Sequence, residues 1–290
     1  MKNDYLFTIG FVNYKSSVFM ETQFKIYEKF AGEKFKIVII ENTNTEKEFD
    51  TLNKIINKFS IPIELIKYSI EQQKNNRSTH GDCLQYLLDN YVDTEYFLTQ
   101  DPDFFWVKPR FLTYFREIME EGNVAAGSIY YNYDYYNEAL GENRGFFPAA
   151  FGAVYKTNEI KNKNCNFYMG VTSGEEAKNP KDFRDVGWKI RQELANKKYS
   201  YLEAEKIDLK IGEISPFPQE SHLGYTIKYV DKKTKEAIGY HLRKGSFLFK
   251  HEDPKTYIPE IETPEDWQNN KKKACKIFWN EIKKAKIKWQ

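Results

Sequence analysis

The triplet Asp101-Pro102-Asp103 is the part of this sequence best equipped for chemistry. Its carboxylates stand on alternate residues directly after an apolar run, Tyr96-Phe97-Leu98-Thr99, with Gln100 between. Two hard oxygen donors at a strand end can hold Mg2+ or Mn2+ between them and a diphosphate. A cation so placed neutralises charge that builds on a departing nucleoside diphosphate. A bare D-x-D also arises by chance, and an aspartate before proline suits an ordinary surface turn. Position favours the chemical reading, because an apolar strand precedes the pair and Phe104-Phe105-Trp106 follows it.

Other residues have a chemical and a plain reading side by side. Asp185 opens a helical stretch, where it could take a proton from an acceptor hydroxyl or simply cap the helix; Asp182, Glu175 and Glu176 are nearby substitutes. His80 lies at another helix start, suited to a phosphate or an acceptor, or to capping and packing. Arg77 before that helix, and Arg243 with Lys244 late in the chain, could pair with diphosphate oxygens or remain solvated. His222 and His251 are weaker candidates. Trp106, Trp188 and the tyrosines from 130 to 136 could stack on sugar faces, with burial the simpler role for the tryptophans.

The elements that must position these groups follow from hydrophobic spacing. Leu6 to Val12, Phe35 to Ile40, Ile63 to Tyr68 and Tyr96 to Thr99 are short apolar runs that predict buried strands. Between them, 18–30, 46–59 and 78–91 carry apolar residues at helical spacing. Alternating strand and helix predicts βαβ units, a parallel sheet and helices on both faces. Ligands bind such sheets at the carboxyl ends of the strands, which singles out Asn13, Glu41 with Asn42, and Asp101 with Asp103. Further on, 124–131 and 149–155 predict strands, 186–195 a helix, and 225–230 with 237–242 a hairpin. The Tyr-, Asn- and Gly-rich stretch 132–147 predicts a loop.

Composition narrows the class. The chain has 290 residues, 41% apolar and 30% charged, with a net charge of +2. That excludes collagen-like, disordered and multi-span membrane proteins. No window approaches 18 consecutive apolar residues, and Asp4 and the short run after it do not make a secretory signal. Cys83, Cys165 and Cys275 form no pair or zinc spacing, which fits a reducing compartment; a cytoplasmic location is expected. The aromatic share is 17%, more than a core requires. Residues 267–290 hold eight lysines against Glu281, a local +7, while the remaining 36 basic and 41 acidic residues leave −5. A mildly acidic body argues against nucleic acid and for a local contact made by the tail. There, Ala274, Phe278, Ile282, Ala285 and Trp289 form an amphipathic stripe. Two readings stay open for it: an interfacial helix on an anionic membrane surface, or a helix packing its stripe on the domain.

The arrangement resembles the nucleotide-sugar-dependent glycosyltransferases of GT-A fold, especially the family 2-like bacterial enzymes. The match rests on a first strand ending in Asn13, a second ending in Glu41-Asn42 and a helix opening His80-Gly81-Asp82. Tyr-Phe-Leu-Thr-Gln-Asp-Pro-Asp, Asp185-Val186-Gly187-Trp188 and His241-Leu242-Arg243-Lys244-Gly245-Ser246 complete it. The resemblance covers roughly residues 5 to 250 and implies an α/β fold with a mixed, mostly parallel Rossmann-like sheet. It implies a domain over 1–250, with a nucleotide-binding half (1–107) and an acceptor-binding half (108–250), and a helical tail (251–290). By position, Thr8 to Asn13, with Gly10 between, and Glu41 with Asn42 would flank the nucleobase and ribose of the donor. Asp101 would face ribose or a metal-bound water, Asp103 would ligate Mn2+ or Mg2+, and His241 would complete the metal site. The implied reaction moves a sugar, from a UDP-sugar by expectation, to a saccharide or lipid-linked saccharide acceptor in surface polysaccharide or capsule synthesis. Two departures stand out: Glu41 where many relatives carry Asp, and Gln100 where an apolar residue is commoner. A sugar-phosphate nucleotidyltransferase is the rival enzyme, but it needs a glycine-rich loop after the first strand, and Tyr14-Lys15-Ser16-Ser17 has none. A non-catalytic sugar-binding protein is the rival of another class.

Overall fold

Seven consecutive buried residues make β1 (Phe7–Asn13), and β2 (Phe35–Glu41) is nearly as dry. Strands this apolar on both faces belong in the middle of a helix-covered parallel sheet. In this computed structural model β1 pairs in parallel with β2 on one side and with β4 (Tyr96–Gln100) on the other. The described residues are 4–43, 45–68, 79–129, 146–161, 164–168, 186–207, 225–243 and 264–287. β3 (Ile63–Lys67) extends the parallel side, while β7 (Gly152–Lys156) joins β4 in antiparallel sense. With β6 (Ala125–Gly127) and β8 (Ser200–Tyr201) the order is β3-β2-β1-β4-β7-β6-β8. The expected α/β architecture is present: the sheet is mixed and mostly parallel.

Residue alternation along the strands divides the core. Phe7, Ile9, Phe11, Ile37 and Ile39 pack with Phe19, Met20, Phe24 and Tyr27 of α1 (Ser17–Phe30) and Leu52 of α2 (Glu46–Ile56). Val12, Val38 and Ile40 pack with Cys83, Leu84, Leu87 and Leu88 of α3 (Thr79–Tyr91). Thr45 caps α2 by accepting the Glu48 amide, and Glu46 and Glu48 complement the helix dipole in the first turn.

A second sheet stands beside the first, in the order β5-β11-β10-β9. Its members are β5 (Phe104–Trp106), β9 (Glu203–Lys206), β10 (Tyr225–Val230) and β11 (Ala237–Arg243). The predicted hairpin is β10–β11, turned at Lys235 in the left-handed region (φ 58°). Asp231 Oδ1 holds that turn by accepting the amides of Lys233 and Thr234. The three-residue β5, α4 (Phe111–Glu120), α5 (Thr157–Lys161), β8 and β9 were not anticipated. Residues 186–195 give the shorter α6 (Trp188–Leu194).

The basic tail forms α7 (Pro264–Ile287) and packs on β10 and β11. Here the interfacial reading is corrected. Phe278 is fully buried and Ile282 is 1% exposed. The Phe278 ring meets Phe105 edge-on at 5.3 Å, and Trp279 stacks on Phe19 at 6.0 Å. Phe278 and Ile282 therefore belong to the protein core and are not offered to lipid, while Lys272, Lys276 and Lys283 remain exposed. Ala274's side chain and Trp289 lie outside the described residues. No helix among the described residues is long and apolar enough to cross a membrane.

Candidate active site

The carboxyl ends of β1, β2 and β4 form one edge, because register sets Asn13 beside Glu41 and Phe11 beside Gln100. Leaving β4, the chain makes a tight turn through Asp101, Pro102 and Asp103. The Phe104 amide donates back to the Asp101 carbonyl at 3.0 Å, and the Asp101 amide donates to Phe151 O at 2.9 Å. The chain then enters β5 and so crosses into the second sheet. There β11 lies antiparallel to β5 with His241 opposite Phe104, and the Leu242 amide donates to Asp103 O at 3.0 Å. This pairing delivers a histidine 138 positions further along the chain to the acidic turn.

Asp101, Asp103 and His241 each present a ligand atom, and these atoms lie within 4.8 Å of one another. His241 Nε2 is 3.4 Å from Asp103 Oδ1, with both side chains almost fully buried. The imidazole stacks on Phe151 (centroids 4.8 Å apart, planes 28°), and Phe104 lies beside it, tilted by 46° at 5.5 Å. Stacking on Phe151 thus sets the histidine's plane. Its Nδ1 has no hydrogen-bond partner among the described residues, so Nε2 is the nitrogen aimed at the carboxylates. Carboxylates gathered this closely repel one another unless a positive charge lies between them. The set of two oxygens and one nitrogen, oxygen-dominated and hard, fits Mn2+ or Mg2+.

His80 joins this group from the first turn of α3, with Nε2 3.6 Å from Asp101 Oδ1 and the ring 38% exposed. Burial pushes the Asp82 carboxyl above its usual range. Burial, reinforced by the Cys83 and Asp82 charges, pushes the Tyr68 hydroxyl up to about 12. The Cys83 thiol is pushed up for the same first cause, then by Asp82 and Glu41.

At the β1–β2 end, Asn13 Nδ2 donates to Glu48 Oε1 at 3.1 Å, and the same oxygen accepts the Ser17 amide. Asn13 O accepts the Asn42 amide, and Glu41 Oε1 accepts the Thr43 amide at 2.6 Å. Asn13 and Glu41 are fully buried and Asn42 is 5% exposed. The longer Glu41 side chain thus folds back on the loop that follows it.

Not every expected residue comes to this edge. Thr8 lies near the amino end of β1, its hydroxyl 2.8 Å from that of Thr94. Gly10 sits under α3: a Cβ there would lie 2.8 Å from the Phe97 ring and 3.1 Å from Leu87. Its smallness lets α3 close on the sheet. Trp106 is fully buried, stacked on Phe111 and edge-on to Phe115. Arg77, Asp185, Asp182, Glu175, Glu176, His222, His251 and Tyr130 to Tyr136 lie outside the described residues. Arg243 closes β11, but its side chain is outside them too. Phe151, which seats His241, was missed; nothing in its local pattern marks it. Gln23 was also missed, though a glutamine among the apolar positions of α1 was a visible signal.

Fold and site together define an α/β protein in which two carboxylates and a histidine that could hold a metal ion meet where a parallel edge adjoins a second sheet. No protein-family model and no curated protein matches the chain. Among solved structures it is similar to the mannosyltransferase PcManGT from Pyrobaculum calidifontis, in complex with GDP-Man and Mn2+. That match has 14% identity and TM-score 0.44, covering 64% of this chain and 55% of that one. It is similar also to S. aureus TarS 1-349 (15% identity, TM-score 0.45, 68% of this chain and 58% of that one). A third is the galactosyltransferase LgtC with donor and acceptor sugar analogues (14%, TM-score 0.46, 67% and 72%). The chain thus spans a little over half the length of the first two.

Proposed function

We propose that this protein is a metal-dependent glycosyltransferase that moves a sugar from a nucleotide-sugar donor, a UDP-sugar by preference, to a saccharide or lipid-linked saccharide. The observation that carries this reading is the convergence of Asp101, Asp103 and His241 at the carboxyl edge of a parallel sheet. In it Asp101, Asp103 and His241 hold Mn2+ or Mg2+, which when bound supplies positive charge to the donor's diphosphate. Asn13 at the end of the neighbouring β1, with Glu41 and Asn42 at the end of β2 beyond it, binds base and ribose. His80, beside Asp101, orients a phosphate or the acceptor. Arg77 and Arg243 pair with diphosphate oxygens, and Asp185 takes the acceptor's proton. The exposed lysines of α7 leave room for an electrostatic contact with anionic lipid at the inner face of the cytoplasmic membrane, without insertion.

Thermal-shift measurements with UDP, GDP, CDP and dTDP, each with and without Mn2+, test the reading. A ligand at 100 times its Kd stabilises by about 2.7 kcal/mol. One nucleotide should raise the melting temperature only when Mn2+ is present, and Asp103→Ala should erase that gain. A nucleotide response that ignores both Mn2+ and Asp103→Ala would sink the assignment. No response to any nucleotide would favour the non-catalytic sugar-binding alternative.

A further inference from the structure

Beneath the acidic turn runs a polar network that an apolar core does not need. Gln23 of α1 is fully buried and Gln100 of β4 is 2% exposed. The Tyr27 hydroxyl donates to Gln100 Oε1. Gln100 Nε2 donates to Gln23 Oε1 at 2.9 Å and to Phe104 O at 2.6 Å. Gln23 Nε2 donates to Pro102 O at 3.0 Å and also to Phe104 O. The donors run one way: hydroxyl, first amide, second amide, then the two carbonyls that flank Asp103. Each amide oxygen receives a proton and each amide nitrogen gives two, so flipping either amide would set oxygen against oxygen. Satisfied buried networks of this kind hold one geometry, because any other leaves polar groups unpaired.

We propose that Gln23, Gln100 and Tyr27 are positioning residues that set the Asp101–Asp103 turn, and so the meeting of Asp103 with His241. The proposal rests on the reading of Asp101, Asp103 and His241 as a cation site. Plain core packing does not account for the pattern. Apolar residues of the same volume would fill this space without burying two amides. Moreover, the network reaches the backbone at the carbonyls on either side of Asp103. The same turn is held from the other side by Asp101 N on Phe151 O and Leu242 N on Asp103 O. The turn is therefore clamped between α1 below and the β7 and β11 strand ends above. It also explains the buried amide of Gln100 at the end of β4.

The test is titration of the full chain with Mn2+ alone, read by calorimetry and by the spin-resonance signal of free Mn2+. Tyr27→Phe removes one oxygen and opens no cavity, so it folds; Gln23→Met keeps volume and removes the donors to the turn. Asp103→Ala marks the site, and Met119→Ala, a fully buried position on α4, marks loss of stability alone. Tyr27→Phe and Gln23→Met should weaken Mn2+ binding by about 10- to 100-fold, the range for groups that orient metal ligands. Met119→Ala should melt lower yet bind Mn2+ like wild type. If Tyr27→Phe and Gln23→Met bind as wild type while Asp103→Ala does not, the positioning role is wrong and the site stands. If Met119→Ala loses as much affinity as they do, the effect is stability and the proposal falls. If wild type shows no Mn2+ binding that Asp103→Ala removes, the site reading falls and takes the proposal with it.

Discussion

Replacing Phe278 with alanine tests whether the basic helix is part of the fold. The ring is fully buried between Phe105 of β5 and Phe19 of α1, at 5.3 and 6.5 Å, and Ile282 one turn on is equally enclosed. Removing a buried phenylalanine costs about 3–5 kcal/mol, the transfer term plus the cavity left behind. A chain of this size loses about 2–4 °C in melting temperature per kcal/mol, so Phe278→Ala should melt at least about 6 °C below wild type. Lys276→Ala, on the exposed face of the same helix, should stay within about 0.5 kcal/mol of wild type. The assay is differential scanning calorimetry of the three proteins, with a dye for exposed apolar surface. Sedimentation with anionic vesicles in rising salt runs alongside. Any vesicle binding by the intact chain should fade with salt and be unchanged by Phe278→Ala, because only surface lysines take part. If Phe278→Ala melts with wild type but loses vesicle binding, the stripe faces lipid and its packing on the sheets is wrong.

Two further outcomes follow from charge. In chelator, Asp103→Asn should melt above wild type by about 1–2 kcal/mol. Carboxylate oxygens within 4.8 Å of one another repel by about 3 kcal/mol at an effective dielectric near 20, and Asp101's partial exposure discounts that; a lower melting temperature would mark Asp103 as a structural ion-pair member instead. At alkaline pH, Tyr68, Tyr91 and Tyr240, each raised to about 12 chiefly by burial, keep their protons when folded and lose them near 10 when unfolded. The unfolded chain then binds fewer protons, so stability should hold to about pH 10 and fall between 10 and 12; calorimetry alongside tyrosinate absorbance checks this, and a flat stability curve there would refute it.

The parallel half of the sheet was legible because β1, β2 and β4 are dry on both faces and separated by helices of clear period. Their carboxyl ends then named Asn13, Glu41 and Asp101 as edge residues. His241 was legible only through resemblance, since nothing local says that β11 pairs with β5. β5 itself is three residues of uniform burial, too short for alternation to show. α4 carried readable spacing in Phe111, Leu112, Phe115 and Met119, but no capping side chain marked its start. The tail's amphipathic pattern was plain, yet a stripe of Phe and Ile looks the same whether its partner is lipid or another sheet. Thr8 and Gly10 share a strand with Asn13, and only register shows that they support the sheet from its interior while Asn13 ends it.

The crossing from β4 through the acidic turn into β5 also bears on how the protein is made. The two aspartates emerge early in synthesis, but their histidine waits for a hairpin more than a hundred residues later, and that hairpin rests on the last helix. Closing so long a loop is slow and is rewarded only once the distant strands pair. A nascent chain can therefore pair β1, β2 and β4 while the Asp101–Asp103–His241 cluster is still unmade. The cluster therefore waits on β11, and a ribosome-bound fragment that ends before residue 241 carries the acidic pair without His241.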